Sequence, residues 1–125
     1  MLCAVGGEID WIMVQYYNNP DYQAPVNQRI AGRSPQPFAT SYVGIVGLSW
    51  PSEKTLFGLP VYRDDVSSGR LQPDRVISAV VCPLRERYGQ SFGGLTGWQF
   101  STLTADHRFW NNQMAGAVIG SDCLR

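Results

Sequence analysis

Three short apolar segments, each followed by a segment of helical character, constrain the fold of this 125-residue chain more than any other feature. The apolar segments are residues 9–16 (IDWIMVQY), 54–62 (KTLFGLPVY) and 93–100 (GGLTGWQF). We interpret them as strands, with the first buried on both faces and the second also buried. Strands that alternate with helices pair in parallel through right-handed crossovers. The pattern therefore predicts an α/β fold built on a parallel sheet.

The polar segments next to these strands have different expected structures. Residues 21–37 are polar and interrupted by proline, which favours an excursion over the surface. Residues 38–50 have apolar side chains at helical spacing, so we predict a helix there despite two glycines. Residues 108–119 are predicted to form a last amphipathic helix. The side chains expected to face inward from it are Phe109, Met114, Ala117 and Val118.

Residues 72–88 carry the clearest helical signal. Pro73 and Asp74 suit a first helical turn, where a missing donor is tolerated and a negative charge is favoured. Pro83 lies inside the segment and predicts a kink. The apolar face of the predicted helix consists of Ile77, Val80, Val81 and Leu84.

Composition excludes several classes of protein. Ten Lys and Arg balance ten Asp and Glu, whereas nucleic acids and anionic membrane surfaces attract proteins with excess positive charge. No apolar run reaches the roughly 18 residues of a membrane span. We therefore expect neither a nucleic acid nor a membrane as a partner.

Cysteine and histidine usage gives no sign of a metal site. The chain has three cysteines, no CxxC pair and one histidine, His107, for which a structural role is favoured. We predict neither a metal nor a cofactor. A disulfide between Cys82 and Cys123 and buried free thiols are both open, and we favour free thiols.

The number of strand and helix units is small for a parallel fold. A closed eight-unit barrel takes about 250 residues, whereas this chain contains three units. We therefore expect the 125 residues to be part of something longer.

Four motifs, in order, resemble the glycoside hydrolase family 18 chitinases, especially the hevamine-like class III enzymes. Residues 10–20 (DWIMVQYYNNP) resemble the family's sixth barrel strand, and residues 54–61 (KTLFGLPV) resemble the seventh. Residues 73–78 (PDRVIS), with the later proline, resemble the seventh helix, and residues 92–98 (FGGLTGW) the eighth strand. The resemblance implies a partial TIM (β/α)8 barrel, with residues 1–125 as its carboxyl-terminal portion.

The resemblance also implies roles for four residues. Tyr17 matches the catalytic tyrosine that hydrogen-bonds the substrate's acetamido group, and Gln15 and Asn18 match neighbours that line the same subsite. Trp98 matches the tryptophan beneath the sugar that is cleaved. Because the carboxyl ends of parallel strands share one edge of a sheet, we expect Tyr17 and Trp98 to converge there. Trp11, Trp50 and Trp110 have no such context, and we assign them to packing.

One motif of the family is absent from these residues. The acid motif DxxDxDxE of the fourth strand occurs nowhere in the sequence. Glu8 and Asp10 lie at the amino end of the first strand, which is the wrong end for chemistry. Asp64 and Asp65 follow the second strand on the catalytic face, but we interpret them as turn or cap residues.

The sequence leaves three functions open. The first is part of a chitinase-like hydrolase that cleaves β-1,4-linked N-acetylglucosamine polymers by substrate-assisted catalysis, with this segment supplying binding residues and inactive alone. The second is a non-catalytic remnant that binds chitin or N-acetylglucosamine. The third is a truncated product without function. Expected partners are an N-acetylglucosamine oligosaccharide and either a missing amino-terminal half-barrel or a second copy, and the resemblance implies secretion.

Overall fold

A computed structural model describes residues 2–18, 40–62, 66–67, 70–99, 105–120 and 123. Its three strands form one sheet in the order β1 (Ile12–Gln15), β2 (Thr55–Pro60) and β3 (Leu95–Trp98). Both strand pairs are parallel. The predicted α/β fold with a parallel sheet is therefore confirmed.

Helices and single helical turns connect and follow the strands. They are α1 (Leu2–Val5), a 3₁₀ turn (Gly6–Glu8), α2 (Tyr42–Gly47), a 3₁₀ turn (Ser52–Lys54), α3 (Pro73–Val76), a π-helical turn (Ile77–Val81), α4 (Cys82–Tyr88), a 3₁₀ turn (Gly89–Ser91) and α5 (Ala105–Ile119). Within the described part of the chain, no helix has the length and apolarity needed to cross a bilayer. The predicted excursion over residues 21–37 lies outside the described residues.

The core lies between the helices and one face of the sheet. Tyr16 and Phe57 stack there with ring centroids 4.1 Å apart, and both are fully buried. The other fully or mostly buried apolar side chains of this cluster are Tyr42, Leu59, Val61, Val76, Val80, Val81, Leu84, Phe92, Trp110, Met114 and Ala117. The second face of the sheet is the one that carries the candidate site.

Burial along β1 corrects one expectation. The strand was predicted to be buried on both faces, but its residues alternate between half-buried and exposed. Val14 packs against the core, whereas Met13, on the opposite face, is 58% exposed. β2 is buried nearly throughout, as predicted. β1 differs because it is an edge strand, whereas β2 has a neighbouring strand on each side.

Pro83 disturbs the long helix in a specific way. A proline cannot donate the backbone hydrogen bond of a regular helix, and its ring crowds the carbonyl four residues earlier. The backbone before it widens into the π-helical turn, in which the Cys82 N–H donates to the carbonyl of Ile77, five residues back. Where the sequence predicts a kink, the structure has a π-helical turn between α3 and α4.

The buried face of α5 differs by one residue from the prediction. Met114 and Ala117 are buried as expected, but Phe109 is 61% exposed and Trp110 is buried in its place. Residues 110, 114 and 117 lie on one helical stripe, and residue 109 lies about 100° away from it. The Trp110 ring fills the space next to Gly97.

The three tryptophans assigned to packing differ in burial. Trp50 and Trp110 are buried, which confirms their assignment. Trp11 is 59% exposed, so its assignment to packing was wrong. It stands just before β1, at the uncovered edge of the sheet.

The cysteines correct a further expectation. Cys82 and Cys123 form a disulfide with Cα atoms 5.1 Å apart, rather than remaining free thiols. In the same region, the Arg85 guanidinium donates to the carbonyl of Ala117, at 2.9 Å, and to that of Gly120. The bond and the arginine together attach the carboxyl end of α5 to α4.

Tyr42 ties together the loops at the amino ends of β2 and β3. Its hydroxyl donates to the carbonyl of Ser52 at 2.8 Å and accepts from the backbone N–H of Gly93 at 3.1 Å. The side chain is fully buried, and burial raises its pKa above 10.0, although the hydrogen bonds with the Ser52 hydroxyl and with the Gly93 N–H act in the opposite direction. This end of the sheet is therefore closed by a buried polar contact, and the opposite, carboxyl end is left for a site.

Candidate functional site

The parallel register aligns three residues across the sheet. Gln15 of β1 pairs with Gly58 of β2, and Gly58 pairs with Thr96 of β3. Register partners in parallel strands project to the same face, and this face is opposite the helices because Val14 and Leu95 pack against the core. The three residues therefore form one row on the open face of the sheet.

Tyr17 and Trp98 lie one step beyond this row, toward the carboxyl edge. Tyr17 follows Gln15 by two residues, and Trp98 follows Thr96 by two residues. They are 81 residues apart in sequence, yet they line the same cavity. The predicted convergence of Tyr17, Gln15 and Trp98 at one end of the sheet is therefore confirmed.

The cavity itself is small and open to one side. Its volume is about 40 Å³, and its lining includes Met13, Gln15, Tyr17, Gly58, Thr96 and Trp98. Pockets that enclose a whole small molecule are usually about 300–1,000 Å³. The described strands therefore form one wall of a site, with room for a substituent rather than for a whole ring.

Tyr17 presents a protonated phenol to this wall. The side chain is 8% exposed, and burial raises the pKa of its hydroxyl above the ordinary 10.0. The hydroxyl therefore keeps its proton at neutral pH and is available as a hydrogen-bond donor. A donor of this kind can polarise an amide carbonyl or stabilise charge that develops on it.

Trp98 presents a broad apolar surface beside the phenol. It is the last residue of β3 and is 48% exposed, which is unusual for a large aromatic side chain at the end of a strand. Its neighbour Gly97 lets the strand pass directly over the Trp110 ring and the Val61 side chain. The indole can therefore support the C–H face of a sugar.

Asn18 does not line the cavity. Its side-chain oxygen accepts a hydrogen bond of 2.8 Å from the backbone N–H of Ser67, in the loop after β2. Its backbone has φ of +56°, a left-handed conformation that asparagine tolerates better than most residues. The structure thus places Asn18 in a contact between two loops, next to the site but not in its wall.

Sequence reasoning missed several residues of the wall, among them Met13, Gly58 and Thr96. The signal for them was present in the alternation of strand side chains. Met13 is two residues before Gln15 and Thr96 is two before Trp98, so each lies on the same face as a predicted residue. Gly58 could not be recognised in this way, because its contribution is the absence of a side chain.

A second recess lies at the β3 edge of the sheet. It is a groove of about 550 Å³ between β3 and α5, lined by Leu95, Trp110, Met114 and Val118 among others. It contains none of the four residues predicted for the site, and it shares Thr96 and Gly97 with the first cavity because β3 borders both spaces. The groove is an uncovered side of the fold rather than part of the wall.

Other candidate groups add nothing to the site. Asp64, Asp65 and the His107 side chain lie outside the described residues. Among the described residues, no three His, Cys, Asp or Glu side chains are placed to hold a metal ion.

The chain resembles one segment of a larger enzyme of known structure. It superposes on a GH18 chitinase from Pseudoalteromonas aurantia with a TM-score of 0.73 and 32% sequence identity. The match covers 93% of this chain and 38% of that chain, so this chain spans well under half of that enzyme. No protein-family model and no curated protein matches the chain. The fold is therefore α/β and corresponds to part of a GH18 TIM-barrel chitinase.

Proposed function

We propose that the chain is the carboxyl-terminal portion of a hevamine-like glycoside hydrolase family 18 barrel, covering strands six to eight. In this proposal the parent cleaves β-1,4-linked N-acetylglucosamine polymers, with the substrate's own acetamido oxygen as nucleophile. The single observation that carries the proposal is the shared cavity of Gln15, Tyr17 and Trp98. The similarity to a GH18 chitinase at 32% identity supports it.

The described residues suggest a division of tasks in substrate binding. Trp98 supports the sugar ring, the Tyr17 hydroxyl donates to the acetamido oxygen, and Gln15 contacts the same sugar. Asn18 is also proposed to belong to this subsite. Its side chain additionally accepts a hydrogen bond from the Ser67 N–H. No residue of the chain is proposed as the acid, because the DxxDxDxE motif does not occur in it.

Binding without hydrolysis is the second candidate function. Trp98 remains half exposed at the site, as a sugar-binding surface requires, and it needs no acid for this role. A chain that only binds chitin or N-acetylglucosamine would use the same wall. The two candidates differ in whether a longer protein supplies the acid.

We further propose that the parent is secreted. The disulfide between Cys82 and Cys123 supports this proposal, because such bonds persist in oxidising compartments. A polymer outside the cell also requires an extracellular enzyme.

The test of binding compares two exposed tryptophans. Trp98→Ala is expected to weaken the binding of N-acetylchitotetraose to the purified chain by roughly 2- to 12-fold, the range of a single aromatic contact. Trp11→Ala is the matched control, since Trp11 is 59% exposed but does not line the cavity. Equal losses in both variants, measured by calorimetry, would contradict the proposed site.

The test of catalysis uses a fluorogenic chitobioside. The purified chain is expected to release no product, because it lacks the acid motif. Release of product, with contaminating longer enzyme excluded, would direct attention to Asp64 or Asp65 as the acid. In a longer protein with the acid motif, Tyr17→Phe is expected to lower kcat by about 10²–10³ while leaving binding largely intact.

A further inference from the structure

Thr96 occupies a position that the proposed function does not use. It lies on the open face of the sheet, in one row with Gly58 and Gln15. Its neighbours in β3 point the other way, since Leu95 packs on the core and Gly97 abuts Trp110. The Thr96 side chain therefore projects into the cavity that Tyr17 and Trp98 also line.

The gap between Thr96 and Gln15 exists because Gly58, which lies between them, has no side chain. A Cβ atom on Gly58 would lie 2.7 Å from the carbonyl oxygen of Val14, closer than a side chain can approach, so the position accepts only glycine. Neighbouring strands are about 4.8 Å apart, which places Gln15 and Thr96 roughly 10 Å apart across the gap. The missing side chain leaves space between two polar groups.

Both polar groups are available for a ligand. Among the described residues, neither the Gln15 amide nor the Thr96 hydroxyl has a side-chain hydrogen bond to another residue. Each group can donate and accept. The cavity that both groups line has a volume of only about 40 Å³. It therefore suits one small hydrogen-bonding substituent.

We propose that Thr96 is a further substrate-binding residue, which shares with Gln15 one hydrogen-bonding substituent of the sugar that rests on Trp98. This inference depends on the proposed function, because it takes a sugar as the ligand. The paired groups on either side of Gly58 select substrates by the presence of that substituent. A sugar lacking it leaves two polar groups of the wall without a partner, which costs more than the loss of an apolar contact.

Two substitutions separate the hydroxyl from the shape of the side chain. Thr96→Val keeps the β-branched shape that suits a strand and removes only the hydroxyl, whereas Thr96→Ser keeps the hydroxyl. We expect Thr96→Val to weaken N-acetylchitotetraose binding by roughly 2- to 12-fold, as for one neutral hydrogen bond, and Thr96→Ser to bind like the unsubstituted chain. Both variants should unfold at the same urea concentration as the unsubstituted chain.

A double-mutant cycle tests whether Gln15 and Thr96 act on one substituent. If they do, Gln15→Met combined with Thr96→Val weakens binding by less than the product of the single effects. Binding by the unsubstituted chain with an unchanged Kd in Thr96→Val would overturn the inference while leaving the proposed function intact. No detectable binding by the unsubstituted chain would overturn both.

Discussion

The Trp110 ring occupies the space that a side chain at Gly97 would need. A Cβ atom on Gly97 would lie 2.9 Å from Cζ3 of Trp110 and 2.6 Å from Cγ2 of Val61. This contact connects the core to the site, because Gly97 immediately precedes Trp98. The position of the candidate sugar-binding surface therefore depends on how α5 packs against β3.

Gly97→Ala is expected to lower the free energy of unfolding by about 1–3 kcal/mol, the usual cost of overpacking a core. It should also weaken carbohydrate binding, because relief of the overlap moves Trp98. Gly47→Ala is the control, since a Cβ atom there meets nothing within 4 Å and alanine favours the helix. Urea denaturation of both variants measures the difference. Equal free energies of unfolding for the two variants would show that β3 can move away from α5 at no cost in stability.

Reduction of the disulfide is expected to destabilise the chain substantially. Cys82 and Cys123 are 41 residues apart, and closing a loop of this length contributes about 4 kcal/mol by restricting the unfolded chain. The variant with both cysteines replaced by serine should unfold like the reduced protein. Cys3→Ser is the control and should behave like the unsubstituted chain. Denaturation that is insensitive to dithiothreitol would contradict this expectation.

Alkaline pH should destabilise the fold through its buried tyrosines. Burial raises the pKa of Tyr42 above 10.0, and burial raises the pKa values of Tyr17 and Tyr88 in the same direction. The folded state therefore binds these protons more tightly than the unfolded chain does. The free energy of unfolding should stay level below about pH 9 and fall as the pH rises above about 10.

Tyr42→Phe isolates the contribution of Tyr42 to this effect. At neutral pH it should cost about 1–3 kcal/mol, because the Gly93 N–H and the Ser52 carbonyl lose a buried partner. Above pH 10 its stability should fall less steeply than that of the unsubstituted chain. Urea unfolding at a series of pH values tests both expectations, and parallel profiles would assign the alkaline loss to other groups.

The sheet and the convergence of Tyr17 with Trp98 were predictable because both follow from local patterns. Alternating strands and helices imply parallel pairing, and parallel strands bring their carboxyl ends to one edge. Counting in steps of two along β3 would also have reached Thr96. The cavity at Gly58 required knowledge of which residue stands opposite Gln15, and only the register supplies that.

The remaining differences arise from long-range contacts. Asn18 bonds to Ser67, 49 residues away, in a loop whose path no sequence pattern specifies. Three cysteines permit three pairings, and the sequence has no means of choosing among them. The face of α5 depended on whether Phe109 or Trp110 fits against Gly97, which is a question of shape rather than of hydrophobicity.

Self-association is expected because two sides of the sheet are uncovered. In the described part of the chain β1 pairs only with β2, and unpaired strand edges recruit other strands. The groove between β3 and α5 is open on the opposite side. Sedimentation velocity at micromolar concentrations should show dimers or larger species whose proportion rises with concentration.

A charge placed on β1 should reduce this association. Met13→Lys adds a positive charge to the edge strand at a position that is 58% exposed, so it opposes pairing without removing a core contact. Leu48→Lys is the matched control, because Leu48 is 67% exposed but lies in the turn after α2, away from the sheet. If Met13→Lys shifts the chain toward monomer and Leu48→Lys does not, the contact lies at β1. A sharply monodisperse monomer of the unsubstituted chain would count against its being a segment of a larger barrel. The edge strands of such a segment lack the partner strands that they would have in the complete barrel.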